Sequence, residues 1–243
     1  MRKLLTGWIV AKLAALCVFC VMAVTANSSF AGLSGGAAAT PTPTPTPAVD
    51  DSIDRETSDP YTGDLARFDR ENRAENLQID RVMDILGIKE GSSVADIGAG
   101  GGWFSAIASK RAGKTGKVYA VDISRDSIDF IDKRIAKEKL ENIETILGIP
   151  DDPKLPEKTV DAVLILNTYH EIAEPVRFLR NLAKSLKTKA LVGIIDREGK
   201  GDDHGIDPAV VKKEAERVGL KFVAAYDFVN KDRMDYFLVF SSQ

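Results

Sequence analysis

A glycine-rich segment that follows an acidic residue is the part of this sequence best suited to hold a ligand. The run Val94–Ser105 reads Val-Ala-Asp-Ile-Gly-Ala-Gly-Gly-Gly-Trp-Phe-Ser, so Asp96 stands two residues before the first glycine. Glycine lets a backbone approach a ligand closely, and a helix that begins at Trp103 would offer free N–H groups. The Asp96 carboxylate would face the ligand, where it attracts an ammonium group and repels a pyrophosphate. The segment therefore predicts a nucleoside-binding loop that prefers a cationic ligand.

Polar residues also follow the next apolar runs that read as strands. Asp122 ends the second run, Asp151 follows the third, and Asn167 and His170 follow the fourth. Because parallel sheets bind ligands beyond the carboxyl ends of their strands, we expect these side chains to share a site with Asp96. An acid at position 122 can accept hydrogen bonds from both ribose hydroxyls of a nucleoside, each contributing roughly 1.5–3 kcal/mol.

His170 is the strongest candidate for a general base. It is one of only two histidines in the chain, and it follows the strand where a substrate would lie. Tyr169 and Glu171 are alternative bases, and a histidine that is merely packed or hydrogen-bonded at a helix start is the structural alternative. Asp196, at the end of the fifth run, reads equally well as a loop or helix partner and as a catalytic group.

A metal site has weaker support in the sequence. His204 lies in a polar loop beside Asp202 and Asp203, which have the chemistry of metal ligands, but a solvated loop is the simpler interpretation and we predict no metal. Both cysteines, Cys17 and Cys20, lie near the N-terminus. The rest of the chain therefore has neither a thiol nucleophile nor a cysteine metal site.

Strands and helices alternate along residues 61–243, which predicts a parallel sheet with helices on both faces. The last two strands are too close in sequence for a crossover helix, so they pair as an antiparallel hairpin. The amphipathic stretch Leu65–Leu77 predicts either a lid over the site or a packed helix. The predicted strands are Ser93–Ile97, Val118–Asp122, Ile143–Leu147, Ala162–Leu166, Ala190–Asp196, Lys221–Phe228 and Asp235–Phe240.

A dinucleotide-dependent dehydrogenase is the rival interpretation of the glycine loop. Its fingerprint is Gly-x-Gly-x-x-Gly, in which the third glycine allows tight packing of the helix against the strand. Counted from Gly98 and Gly100, the third position holds Trp103, the bulkiest residue. Asp96 would also face the pyrophosphate, so the sequence disfavours an NAD-dependent enzyme.

Taken together, these motifs resemble those of class I S-adenosylmethionine-dependent methyltransferases over about Asp69–Phe240. The residues that carry the resemblance are Asp96-x-Gly98-x-Gly100-x-Gly102, Asp122 and the fourth-strand run Asp161–Asn167. The resemblance implies a Rossmann-like, doubly wound α/β sheet of seven strands in the order 3-2-1-4-5-7-6, with one antiparallel strand. It also implies S-adenosylmethionine as the cofactor.

The resemblance extends to individual contacts with that cofactor. The implied cofactor-binding residues are Asp96, Gly98, Gly100, Gly102, Asp122, Asp151 and Asn167. Asp151 matches the position that often holds the adenine amino group, although the small residue usual beside it is Asp152 here.

The resemblance implies a methyltransferase, and the charge balance of the chain favours a small-molecule acceptor. The chain carries 36 Asp and Glu against 33 Lys and Arg, and three of these bases lie in the first 12 residues. The chain that follows these 12 residues is therefore acidic, which disfavours nucleic acid as a partner. The alternative function is a non-catalytic ligand-binding domain of the same fold, exported or tethered to a membrane. The oligomeric state is not indicated.

The N-terminus reads as a targeting segment. Residues 1–31 predict a signal peptide or membrane anchor, because Arg2, Lys3 and Lys12 precede the uncharged run Leu13–Ala26. Residues 32–60 predict a disordered Thr/Pro-rich and acidic linker, and 61–243 the methyltransferase domain. The domain is then exported or held outside the cytoplasm by a membrane tether. The methyltransferases that this chain resembles use a cofactor made in the cytoplasm. Either the outer compartment receives the cofactor, the anchor has an unexpected orientation, or activity has been lost.

Overall fold

The computed structural model of the protein describes residues 51 and 55–243. The predicted leader (1–31) and most of the predicted linker (32–60) lie outside the described residues. Within the part that is described, no helix has both the length and the apolar character that crossing a bilayer requires.

Seven strands form one sheet in the order β3-β2-β1-β4-β5-β7-β6. β7 runs antiparallel to both of its neighbours, and the remaining neighbours are parallel. This confirms the predicted fold, including its single antiparallel strand. The strands are β1 (Ser93–Ile97), β2 (Lys117–Asp122), β3 (Ile143–Leu147), β4 (Val160–Leu166), β5 (Leu186–Asp196), β6 (Lys221–Tyr226) and β7 (Tyr236–Ser241).

The described residues form six helices, of which two precede β1 and four connect strands, and local sequence sets where several of them begin. The Ser124 side chain accepts a hydrogen bond from the Ser127 N–H at the start of α4, and Asp207 caps α6 ahead of Pro208. The helices are α1 (Arg73–Asn76), α2 (Ile79–Ile85), α3 (Trp103–Ala112), α4 (Arg125–Glu138), α5 (Pro175–Ser185) and α6 (Pro208–Arg217). Three short 3₁₀ turns cover Leu65–Phe68, Tyr169–Glu171 and Asn230–Asp232.

Two apolar clusters cover the two faces of the sheet. In β4, Val163 and Ile165 belong to one cluster, whereas Ala162 and Leu164 belong to the other. Successive side chains of a strand point to opposite faces, so a strand between two helical layers is apolar throughout. Burial of each such Val, Leu or Ile stabilises the fold by roughly 1.5–3 kcal/mol. β4 is therefore a rigid central element, and the residues that follow it are held in place.

The parallel register brings four strand ends to the same edge of the sheet. Ile97 of β1 is aligned with Val121 of β2 and with Ile165 of β4, and Ile165 is aligned with Ile194 of β5. The polar residues that end or follow these strands therefore meet along one edge. This edge carries the candidate site.

Candidate functional site

The loop between β1 and α3 turns through glycines in the left-handed region. Gly98, Gly100 and Gly102 have φ angles of 67°, 54° and 72°. The backbone N–H groups of Gly98 and Ala99 both donate to the Val121 carbonyl, at 2.9 and 3.0 Å. A Cβ atom placed on Gly98 would lie 2.3 Å from the Thr168 side chain. The loop is thus pressed between the ends of β2 and β4, where only glycine fits.

Substitution of Gly98 by alanine is expected to destabilise the protein more than the same change at Gly87. Both glycines have a φ of nearly the same value, 67° and 68°, but a Cβ on Gly87 meets nothing within 4 Å. The left-handed conformation alone costs roughly 1–2 kcal/mol, and the overlap with Thr168 adds about 1–3 kcal/mol. Urea unfolding of both variants measures the difference, and equal destabilisation would contradict the packing described here.

Asp122 ties the glycine loop to the end of β2. Its Oδ2 accepts the Gly100 N–H at 2.8 Å, and its Oδ1 accepts the Ser124 N–H at 2.9 Å. Carboxylate oxygens have further lone pairs, and Asp122 lines the cavity that these elements enclose. It can accept additional hydrogen bonds from a bound polyol such as ribose.

Asp96 is buried behind the loop, where its carboxylate accepts a hydrogen bond from the Ser105 hydroxyl at 2.6 Å. Burial raises the pKa of this carboxyl to about 6; hydrogen bonding to Ser105 opposes the rise, and the like charge of Asp122 adds to it. A buried carboxylate with few partners is energetically costly. A ligand ammonium group placed beside Asp96 would remove that cost.

His170 and Asp196 form a buried pair at the ends of β4 and β5. His170 Nδ1 lies 2.8 Å from Asp196 Oδ1, and the His170 backbone N–H donates to Asp196 Oδ2 at 3.1 Å. An ionised carboxylate can only accept, so Nδ1 carries a proton and Nε2 keeps its lone pair when the ring is neutral. The sequence left Asp196 equally open as a loop or helix partner and as a catalytic group. Its pairing with His170 depends on the β4–β5 register, which no local motif encodes.

These elements enclose a cavity of about 580 Å³, a volume typical of small-molecule sites. Its wall includes the predicted site residues Asp96, Gly98, Gly100, Asp122, Asn167 and His170. Among the described residues, the buried side-chain atoms that lack a hydrogen-bond partner are Asn167 Oδ1 and Arg197 Nε. Both residues line this cavity, so a polar ligand would satisfy groups that the protein leaves unpaired.

Two predicted cofactor-binding residues lie outside the cavity wall. Asp151 turns its carboxylate towards Arg177, with Oδ2 3.5 Å from Nη1, so the structure gives no support to its predicted contact with an adenine amino group. Gly102 lies behind the loop, where a Cβ would meet Ile131 of α4 at 3.1 Å. Its role is to let the loop pack against α4.

The alternative base Tyr169 faces away from the site. Its hydroxyl donates to Glu214 at 2.8 Å, and burial raises its pKa well above the usual value. The other alternative, Glu171, does line the cavity. Burial raises the pKa of its carboxyl to about 7, against the lowering effect of His170.

The amphipathic segment Leu65–Leu77, predicted as a lid or a packed helix, both lines the cavity and packs against its neighbours. Its first part, the Leu65–Phe68 turn, lies on the glycine loop: a Cβ on Gly101 would be 3.1 Å from the Leu65 carbonyl. Its second part forms α1, where the Arg73 guanidinium lies 4.4 Å from the centre of the Trp103 ring. The segment closes one side of the cavity.

Comparison with known proteins agrees with this geometry. Residues 94–189 match a family described as a methyltransferase domain. A crystal structure of an S-adenosylmethionine-dependent methyltransferase from Aquifex aeolicus superposes with a TM-score of 0.67 at 26% identity, covering 74% of this chain and 97% of that one. The family match and this structural likeness support a class I S-adenosylmethionine-dependent methyltransferase domain in this chain.

Curated relatives of this methyltransferase domain match over part of its length. The chain is 28% identical over 97 residues to a protein-L-isoaspartate O-methyltransferase of Methanococcoides burtonii, covering 40% of this chain and 47% of that protein. It is 28% identical over 111 residues to a ubiquinone/menaquinone biosynthesis C-methyltransferase of Escherichia fergusonii, covering 43% of this chain and 42% of that protein. The chain thus spans less than half the length of these relatives.

S-adenosylmethionine is the cofactor of this family, and the cavity of the methyltransferase domain fits it. Asp122 offers acceptors for ribose, and Asp96 offers a buried negative charge for the amino group. The unpaired Asn167 Oδ1 provides a further acceptor in the same wall. The glycine loop forms part of the same cavity wall, where it presents backbone atoms and no side chain at Gly98 and Gly100.

Proposed function

We propose that the protein transfers a methyl group from S-adenosylmethionine to a small-molecule acceptor that loses a proton in the reaction. The observation that carries the proposal is the His170–Asp196 pair. His170 lines the same cavity as the glycine loop and Asp122, and its contact with Asp196 leaves Nε2 able to accept a proton.

The chain supplies position and proton transfer. The cofactor carries a methyl group that is already activated by its sulfonium charge, so the protein has little covalent chemistry to perform. Asp122 and the glycine loop hold the nucleoside, and Asp96 holds the amino group. His170 Nε2 takes the proton of the acceptor, and Asp196 stabilises the ring as it becomes charged.

The walls of the cavity support a small acceptor. Residues Thr57–Tyr61, Leu65 and Phe68, which precede the sheet in the chain, line the cavity together with the strand ends. The curated relatives have names that refer to both a protein acceptor and a quinone acceptor. A cavity of about 580 Å³ has the size of a small-molecule site, which favours a small acceptor.

The N-terminal sequence supports a location outside the cytoplasm, as an exported or membrane-anchored protein. This part of the proposal rests on the bases before Leu13–Ala26 and on the Thr/Pro run that follows. N-terminal sequencing of the protein isolated from its host would test it: a start after residue 31 indicates cleavage, and a start at residue 1 or 2 indicates an anchor.

Transfer of label from methyl-tritiated S-adenosylmethionine tests the proposed activity. The full-length protein is incubated with a host cell extract, which is then divided by ultrafiltration into small-molecule and macromolecular fractions. We expect radioactivity in the small-molecule fraction, and much less of it with a His170→Ala variant that still binds the cofactor.

Two results would count against the proposal. Label confined to the macromolecular fraction would mean a protein or nucleic-acid acceptor. Cofactor binding without transfer to any fraction, in extracts prepared from several growth conditions, would favour the non-catalytic ligand-binding alternative.

A further inference from the structure

Three side chains with metal-ligand chemistry lie together at the end of β4, and one of them belongs to the His170–Asp196 pair. They are His170, Glu171 and His204, whose ligand atoms all lie within 4.8 Å of one another. His170 Nε2 is 3.8 Å from Glu171 Oε1, and the two imidazole ring centres are 5.7 Å apart. All three residues line the cavity. The cluster unites the end of β4 with the loop after β5, two segments far apart in sequence.

We propose that His170, Glu171 and His204 bind a divalent first-row transition-metal ion such as Zn²⁺. Two imidazoles and one carboxylate suit a cation of borderline softness, whereas Mg²⁺ and Ca²⁺ prefer oxygen ligands alone. Three protein ligands leave a coordination position open to the cavity, as in catalytic rather than structural zinc sites. His204 therefore acts with His170 and Glu171, and not with its neighbours Asp202 and Asp203.

Asp196 provides the support that metal-binding histidines require. A histidine ligand usually donates its second ring N–H to a carboxylate, which fixes the tautomer and the direction of the free lone pair. His170 makes this contact to Asp196 at 2.8 Å. Its Nε2 is thereby left as the ligand atom on the side of Glu171.

Ser58 joins the two segments that carry the histidines. Its backbone N–H donates to the His170 carbonyl at 3.1 Å, and its hydroxyl oxygen accepts the His204 backbone N–H at 2.9 Å. The same hydroxyl donates to the Gly201 carbonyl at 2.6 Å. His204 itself has a φ of 59°, an uncommon value for histidine. The loop is thus held in a conformation that brings His204 to the cluster.

The charges around the cluster favour a cation. Glu171 experiences the like charges of Asp196 and Asp122, and it is partly shielded from solvent. A divalent ion would offset this repulsion at the point where the three ligand atoms converge.

The following point about the acceptor rests on the proposed methyl transfer and changes one role in it, because with a metal bound His170 would be a ligand and not the base. With a metal bound, the His170 Nε2 lone pair belongs to the metal, and the acceptor occupies the open position through an oxygen or sulfur atom. The cation would lower the pKa of that O–H or S–H group, so its proton would leave to solvent. The resulting anion would take the methyl group as the S–CH3 bond of the cofactor breaks, with S-adenosylhomocysteine as the leaving group. The acceptor class is then a small hydroxyl- or thiol-bearing molecule.

Calorimetric titration with Zn²⁺ alone tests the site without reference to activity. The full-length protein, purified without a histidine tag and stripped with a chelator, should bind one equivalent of Zn²⁺. His204→Ala and Glu171→Gln should each weaken binding at least about tenfold. His204 is exposed, so its replacement leaves the core untouched. Asp202→Asn, a neighbouring exposed acid, is the matched control and should bind as the unmodified protein does.

The outcomes separate this site from the proposed activity. Absence of saturable Zn²⁺ binding, or unchanged affinity in both variants, overturns the metal site. Methyl transfer that persists in excess chelator would then leave the proposed function standing with His170 as the base. Zn²⁺ binding that depends on His204, without methyl transfer to any acceptor, would support the site and remove the activity.

Discussion

Replacement of Asp196 by asparagine lowers kcat of methyl transfer roughly 10²–10⁴-fold and leaves the Kd for S-adenosylmethionine nearly unchanged. The side-chain amide of asparagine can donate to Nδ1 of His170, which favours the tautomer that carries its proton on Nε2. The lone pair at the cavity is then lost. Asp196 is 0% exposed and does not line the cavity, so it acts as a positioning residue and cofactor binding should not depend on it.

Steady-state kinetics and cofactor titration on the same preparation test this expectation. A loss of kcat at constant Kd separates positioning of His170 from general disruption of the site. Asp202→Asn serves as an exposed control, and His170→Gln keeps the prediction testable if the buried Asp196 variant folds poorly. An Asp196→Asn protein with native circular dichroism and undiminished kcat would show that the pair is structural.

Affinity for S-adenosylmethionine weakens about tenfold between pH 7 and pH 5. The pKa of Asp96 is raised to about 6 by burial, and only the ionised carboxylate attracts the amino group of the cofactor. Each unit of pH below the pKa therefore lowers the fraction of binding-competent protein up to tenfold. Calorimetric Kd values across this range measure the effect.

Asp96→Asn should bind weakly and show no such pH dependence. Glu171→Gln is the matched control, since it changes another cavity acid and should keep the dependence below pH 6. If the wild-type Kd is flat from pH 7 to pH 5, Asp96 does not meet the amino group.

The raised pKa also has a consequence for the ligand-free protein. Because the folded-state pKa of Asp96 lies above the ordinary aspartate pKa of 3.8, the folded state binds a proton more tightly than the unfolded state does. The contribution of Asp96 to stability is then present below pH 4 and is lost as pH rises through 6, at a cost of about 3 kcal/mol.

The strands of the sheet could be predicted from the sequence because hydrophobic patterning and local turn residues agree along this chain. β1 has the predicted bounds, Ser93–Ile97, and α3 begins at the predicted Trp103, since an apolar run, a glycine turn and a helical pattern follow each other directly. β5 differs, beginning at Leu186 rather than Ala190. It follows α5 without a loop, and its early residues Lys187–Lys189 have no apolar pattern to mark a strand.

The site was less predictable because its contacts join distant parts of the chain. Asp122 and His170 follow strand ends, where topology alone points to a ligand. Asp196 reaches His170 only through the β4–β5 register. His204 reaches it only because Ser58 holds the loop after β5. Asp151 was assigned by motif position; its carboxylate lies 3.5 Å from Arg177 on α5, and the residue does not line the cavity.

The contacts of Ser58 place part of the site's scaffold ahead of Tyr61, where the folded domain was predicted to start. The serine is buried, and Arg55 nearby pairs with Glu214 of α6 at 2.9 Å. A chain trimmed to begin at Tyr61 would lose the bridge between the two histidine segments while keeping every strand. Loss of residues 55–60 is accordingly expected to loosen the position of His204 relative to His170 while leaving the strand pairing intact.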